Sequence, residues 1–222
     1  MKKLISTVVL LILSIATYAQ ADVTKFLGIP VDGTKSEMIQ KLKAKGFRES
    51  NLDREVLTGE FNGSEVDVYV VTNRNKVWRI MLTDKMHQDE GNIKIRFNNL
   101  CSQFENNKKY MKVSDTANYI LSEKEDISYE MLVHKKRYQA SYFQCPENLE
   151  EDVKSAWSEY TEEQLKNMTE EQLKEKVKDL IVSEYEKCSK KSVWFMISSY
   201  YGKYYITMFY DNEYNHSNGE DL

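Results

Sequence analysis

The chain has 222 residues, with 31 basic and 35 acidic side chains and a formal net charge of −4. An acidic chain without a basic stripe repels phosphate backbones, so we exclude nucleic acid as a partner. Only two prolines and eight glycines are present, which argues against long linkers and low-complexity segments. A chain of this length can bury a sizeable core, as one large domain or two small ones.

The first 21 residues have the layout of a secretory signal peptide. Lys2 and Lys3 provide a positive start, an apolar run at 4–15 follows, and small residues at cleavage spacing come next. The run is shorter than the roughly 20 residues that span a bilayer, and no second run approaches that length. We therefore expect cleavage after Ala19 or Ala21, and a mature protein that is periplasmic or extracellular and not membrane-spanning.

Residues 22–88 predict a first unit, in which one helix precedes a three-stranded meander. Thr34 and Glu37 have the spacing of a capping box at the start of the helix. Asn62-Gly63, between two alternating apolar segments, is a strong hairpin signal. The third strand of the meander would return along the second.

Residues 89–145 predict a second unit. Apolar residues on one stripe between Ile93 and Phe104 indicate a helix. A short strand near 119–121 and a hairpin of two alternating arms are expected to follow. The arms would hold Ile127, Tyr129, Met131 and Val133, and then Tyr138, Ala140 and Tyr142.

Residues 146–212 predict a helical insertion and a closing hairpin, and residues 213–222 a mobile polar tail. Thr161 and Thr169 each begin a capping box, which places helix starts inside the insertion. The closing hairpin would turn at Tyr201-Gly202.

The three predicted hairpins share a frame, because Lys76, Lys136 and Lys203 are each followed two residues later by an aromatic residue. We therefore predict an α+β fold, in which tandem helix-plus-meander units build one antiparallel sheet and the helices pack on one of its faces. The alternative is that unrelated amphipathic hairpins align equally well.

Two motifs stand near the ends of the mature chain: first Phe26 to Pro30, Asp32 to Thr34, Glu37 to Ile39, Leu42 and Lys45 to Phe47, and later Lys203 to Ile206 and Tyr210 to Asn212. With these motifs the chain resembles secreted proteins of Bacteroides-type gut bacteria. In architecture, helix-then-meander units are similar to the assembly lipoprotein BamE and to the tandem-repeat β-lactamase inhibitor proteins. The resemblance implies export, and it transfers no catalytic or binding residue because a fold does not specify a function.

Asp115-Thr116-Ala117 matches the short pattern at which bacteria of this type O-glycosylate exported proteins. Thr116 is therefore a candidate glycosylation site. A chance match is the alternative, because three loosely specified residues recur often in chains of this length.

No motif for a metal, a cofactor or nucleophilic catalysis stands out. His87, His134 and His216 are scattered without the spacing of a metal site, and no serine lies in a nucleophile elbow. We therefore predict no catalytic residue, no metal and no cofactor, and expect a non-catalytic binding protein. The alternative is a secreted hydrolase with an unrecognised active site, which a deep pocket of convergent polar groups would favour.

Three cysteines in an exported chain raise the question of a disulfide. Cys101 lies on an apolar helix stripe and is expected to be a buried thiol. Cys145 and Cys188 lie at element ends around the helical insertion, and a bond between them would be worth roughly 4 kcal/mol in the chain-entropy model. Three free thiols, or a pairing that uses Cys101, are the alternatives.

Tyrosine is the part of the composition that suggests a binding surface, with 15 in the chain. Residues 204–210 are apolar in both phases, which is typical of a central strand covered on both faces or of a strand with one aromatic face toward a partner. We expect exposed tyrosines of the last hairpin to bind a protein or an envelope polymer. The candidates are Tyr200, Tyr201, Tyr204 and Tyr205.

Overall fold

The computed structural model describes residues 22–51, 53–114, 116–145, 160–161, 164 and 167–217, so the predicted signal peptide lies outside the described residues. The described part is α+β, as predicted. Its strands are β1 (Lys25–Phe26), β2 (Ile29–Pro30), β3 (Arg48–Glu49), β4 (Val56–Phe61), β5 (Ser64–Asn73), β6 (Lys76–Asp84), β7 (Tyr110–Lys112), β8 (Gln139–Gln144), β9 (Lys191–Tyr200) and β10 (Lys203–Asn212). Its helices are α1 (Lys35–Ala44), α2 (Glu90–Glu105), α3 (Ile127–Val133) and α4 (Glu170–Ser189).

The main sheet is antiparallel and has eight strands in the order β3-β4-β5-β6-β10-β9-β8-β7. Its two halves have the same order of elements, because a helix precedes four strands in each half. The last strands of the two halves, β6 and β10, pair at the centre of the sheet. The second half differs in that α3 and α4 lie between its strands. That the two halves repeat each other in sequence stays a prediction.

The capping and turn signals of the first half are confirmed. The Thr34 hydroxyl accepts a hydrogen bond from the Glu37 amide at 3.3 Å, and the Glu37 carboxylate accepts one from the Thr34 amide at 3.0 Å. Asn62 and Gly63 both have positive φ, at 50° and 71°, and join β4 to β5. This backbone geometry is the one that an Asn-Gly hairpin favours.

The hairpin predicted across 127–142 is wrong, because its first arm is the helix α3. The Asp126 carboxylate caps this helix by accepting from the Tyr129 amide at 2.8 Å. Ile127 is fully buried whereas Tyr129 and Val133 are exposed, so the alternating apolar residues do not share one buried face. The strand expected near 119–121 is also absent, and β7 occupies the edge beside β8 instead.

Helices α1 and α2 pack on one side of the sheet, which we call the covered face. Phe97 and Phe104 of α2 lie 5.2 and 5.5 Å from Phe195 of β9, measured between ring centroids. Met38 and Leu42 of α1 are fully buried in the same core. We call the opposite side of the sheet the open face. Among the described helices, α4 contacts it at one corner, where Tyr185 lies against Phe143 of β8.

Strand β10 has neighbours on both sides and is buried from Ile206 to Asn212, so it is a central strand of the sheet. Ile206, Met208 and Tyr210 belong to the covered-face core. Because side chains alternate along a strand, the residues between them point to the open face.

Candidate binding surface

The open face is organised around Arg79 of β6. Its guanidinium donates to both carboxylate oxygens of Asp211 on β10, at 2.6 and 2.7 Å. The Trp194 indole donates to the same carboxylate at 2.9 Å. Asp211 is almost wholly buried, so these three charge-assisted bonds are what satisfies its oxygens.

Aromatic rings surround the Arg79 guanidinium. Its central carbon lies 4.2 Å from the centroid of the Trp78 ring and 4.7 Å from that of Phe209. Trp194 stacks on Phe209 with centroids 3.9 Å apart. Cation–π and stacking contacts of this kind hold rings at fixed angles. We call these residues the arginine cluster; it consists of Trp78, Arg79, Trp194, Phe209 and Asp211.

A β-bulge places Trp78 in this cluster. The pairing of β5 with β6 shifts by one residue between Val71 and Thr72, and Trp78 is the extra residue on β6. A bulge turns a side chain away from the direction it would have in a regular strand. Here the Trp78 ring lies against both Arg79 and His216, the latter at 4.6 Å between centroids.

A second aromatic group lies farther along the open face, at the end of the last hairpin. His87 stacks on Tyr205 with centroids 4.8 Å apart and planes 15° apart, and Tyr200 meets His87 edge-on at 5.9 Å. Tyr201 in turn contacts Tyr200 at 4.5 Å. These four residues, His87, Tyr200, Tyr201 and Tyr205, form what we call the hairpin cluster.

The hairpin cluster is far more exposed than the arginine cluster. Tyr200 is 58% exposed and Tyr201 is 90% exposed. Tyr201 takes a left-handed conformation, with φ at 48°, in the tight turn that joins β9 to β10. Its ring therefore projects from the sheet end, where a partner can cover it.

The structure brings together three of the four tyrosines predicted from the sequence. Tyr204 is the exception, because it is 5% exposed and points to the covered face. There its hydroxyl lies 2.6 Å from the Ser128 hydroxyl of α3. The sequence analysis did not select His87, because it is a single polar residue before α2 and belongs to no motif.

Polar contacts connect the two clusters along β9 and β10. The hydroxyls of Ser198 and Thr207 lie 2.8 Å apart, and Thr207 lies between Tyr205 and Phe209 on the same face of β10. The open face thus presents two aromatic clusters that β9 and β10 join, with Trp78 and Arg79 contributed by β6 and His87 by the chain before α2.

A polar cavity lies elsewhere, between α2, β7 and β8, and has a volume of about 280 Å³. Its walls include an ion pair, Glu105–Lys112, at 2.9 Å. The nearby Cys101 thiol is fully buried, and burial raises its pKa to about 12. Tyr142 lies beside it; its hydroxyl has no hydrogen bond of normal geometry in the described part of the chain.

The remaining predicted sites fall outside both clusters. Thr116 is exposed, with its hydroxyl 3.0 Å from that of Ser114, so its glycosylation stays a prediction. All three thiols, including Cys145 and Cys188, are free. In the described part of the chain, no three His, Cys, Asp or Glu side chains converge as a metal site would require.

Comparisons with models of protein families, with curated proteins and with solved structures found no match. Among the helices that the structure describes, none has the length and apolar character needed to cross a membrane.

Proposed function

We propose that this protein is an exported, non-catalytic binding protein that captures a protein or an envelope polymer through the open face of its sheet. The observation that carries the proposal is the hairpin cluster, which holds exposed tyrosine rings in fixed contact with one another. Tyrosine buries a large area at low cost in conformational entropy, and its hydroxyl adds a hydrogen bond.

The shape of the surface favours a macromolecular partner over a small substrate. Small-molecule sites are concave and enclose most of the ligand, whereas the hairpin cluster projects from the end of a sheet. The arginine cluster continues the same face, with Trp78, Arg79 and Trp194 half-buried around the buried Phe209 and Asp211. A partner that spans both clusters would touch aromatic rings at its centre and polar strand residues at its rim.

The proposed compartment rests on the residues at the start of the chain. Lys2, Lys3 and the apolar run at 4–15 have the layout of a signal peptide. The resemblance of the chain ends to secreted Bacteroides-type proteins supports the same location. Periplasmic proteins and cell-wall polymer are therefore the ligands to test for binding to the open face.

The test compares binding by the mature protein with binding by the double variant Tyr200→Ala/Tyr201→Ala. The native protein is first recovered from the periplasmic fraction, where its N-terminal residue should be Gln20 or Asp22. Immobilised protein is then titrated with soluble periplasmic proteins, and free protein is sedimented with purified peptidoglycan. The double variant should lose at least about 2 kcal/mol of binding free energy, roughly 30-fold in affinity, with its melting temperature nearly unchanged.

The matched control is the double variant Tyr129→Ala/Tyr214→Ala. Both of these tyrosines are 51% exposed and lie outside the two clusters. Binding that survives in the control and is lost in the hairpin variant supports the proposal. Equal binding by the native protein and both variants, or no binding to either probe, would contradict it.

A further inference from the structure

Two of the free cysteines lie at the same corner of the molecule. Cys145 directly follows β8, and its amide donates to the Lys109 carbonyl at 2.7 Å. Cys188 lies in the last turn of α4, just before β9 begins. Strands β8 and β9 pair with Phe143 opposite Ser192, so continuing that register places Cys145 opposite Lys190, two residues after Cys188.

A buried lysine, Lys191, begins β9 at the same corner. The Lys191 side chain is almost inaccessible and pairs with the Asp22 carboxylate at 2.6 Å. Burial raises the pKa of both Cys145 and Cys188, and the charge of Lys191 opposes that rise at each of them. An ionised Cys145 would also raise the pKa of Cys188, in keeping with the register of β8 and β9, which places the two residues at one corner.

The two thiols differ in their access to solvent. Cys188 is 2% exposed, whereas Cys145 is half-buried. A reagent from solution therefore reaches the Cys145 sulfur before that of Cys188. The third thiol, Cys101, is fully buried in the covered-face core and lies outside this corner.

We propose that Cys145 and Cys188 form an oxidisable pair, in which Cys145 reacts first with a donor disulfide and Cys188 then closes an internal disulfide. In the first step the Cys145 thiolate attacks one sulfur of the donor, and the other donor sulfur leaves with the electron pair and takes a proton. In the second step the Cys188 thiolate attacks the Cys145 sulfur and expels the remaining donor half as a thiol. The protein loses two protons and two electrons, and the donor disulfide is reduced to two thiols.

This bond would fasten the end of α4 to the end of β8. Helix α4 is exposed along most of its length, and its described buried residues are Glu184 and Cys188 in its last turns. Oxidation would close the chain between the two cysteines into a loop, which suits an oxidising compartment.

The experiment treats the reduced mature protein with oxidised glutathione and maps its peptides by mass spectrometry. The native protein should lose the mass of two hydrogen atoms and give one linked peptide pair that contains Cys145 and Cys188. Cys188→Ser should instead carry one glutathione on Cys145. Cys145→Ser should leave Cys188 unmodified until the protein is unfolded, and Cys101→Ser should form the internal bond as the native protein does.

The native peptide map decides the pairing even where a serine variant folds poorly. A linked peptide that contains Cys101, or glutathione on both Cys145 and Cys188 without an internal bond, would overturn the pairing. Modification of Cys188 in folded Cys145→Ser would overturn the order of the two steps. None of these results depends on the partner of the open face, so the two proposals fail separately.

Discussion

Phe195 and Trp194 are neighbours on β9, yet their side chains lie in opposite environments. Phe195 is fully buried on the covered face among the rings of Phe97 and Phe104. Trp194, on the open face, remains half-buried, stacks on Phe209 and donates a hydrogen bond to Asp211. The covered face is held by burial of apolar area, and the open face by directional contacts that fix partly exposed rings.

The two faces also use the same kind of ion pair differently. On the covered face, Arg96 of α2 makes two bonds to Asp84 of β6 and so ties the helix to the sheet. On the open face, Arg79 makes two bonds to Asp211 and contacts three aromatic rings. A desolvated ion pair adds little net stability. The open-face pair therefore serves chiefly to orient the rings around it.

The largest effect should come from Phe195→Ala. Removing a fully buried phenylalanine leaves a cavity among the α2 rings, which should lower the free energy of unfolding by about 4 kcal/mol. Urea denaturation measures this loss. Met196→Ala is the matched control, because Met196 is the next residue of β9 and is only half-buried on the open face. It should lose less than half as much, and an equal loss would show that both faces are packed alike.

Asp211→Ala should have the next largest effect. It leaves the Arg79 guanidinium and the Trp194 indole without their acceptor, and loss of one partner of a buried pair costs about 3 kcal/mol. The tryptophan signal in near-ultraviolet circular dichroism should also change, because the Trp194 ring loses its hydrogen bond.

The matched control for that prediction is Asp84→Ala. It should lower stability by a similar amount, because its carboxylate is as buried as that of Asp211. Its tryptophan signal should stay close to that of the native protein. If the two variants change the tryptophan signal alike, Asp211 has no special role in orienting the open-face rings.

The first half of the sheet could be predicted because its signals are local. Thr34 and Glu37 lie three residues apart, and Asn62-Gly63 are adjacent, so each pattern contains the whole interaction that it predicts. The second half contains the failed hairpin. The alternation of apolar residues from Ile127 to Val133 fits a strand, but the segment is a helix that Asp126 caps and that buries Ile127 in the core.

The candidate site was less predictable because its contacts are distant in sequence. Arg79 and Asp211 are 132 positions apart, and one sequence contains no pattern that pairs them. Local aromatic enrichment did indicate the last hairpin, but it could not distinguish Tyr204 from Tyr205. Those two side chains point to opposite faces, and only the position of the helices determines which face is open.

The smallest stability effect should come from His87→Ala, which tests whether the hairpin cluster is held in place. His87 is exposed, and its main contact is the stacked ring of Tyr205. Loss of an exposed aromatic pair should lower the free energy of unfolding by about 0.5 kcal/mol. The nuclear magnetic resonance shifts of the Tyr205 ring protons should nevertheless change clearly, because the imidazole ring current acts on them directly. His87→Phe should restore both the stability and a ring-current shift, since phenylalanine can stack in the same place. If His87→Phe restores neither the stability nor the ring-current shift, His87 acts through its ring nitrogens and not through stacking. If the Tyr205 shifts are unchanged in His87→Ala, His87 does not hold the Tyr205 ring in solution.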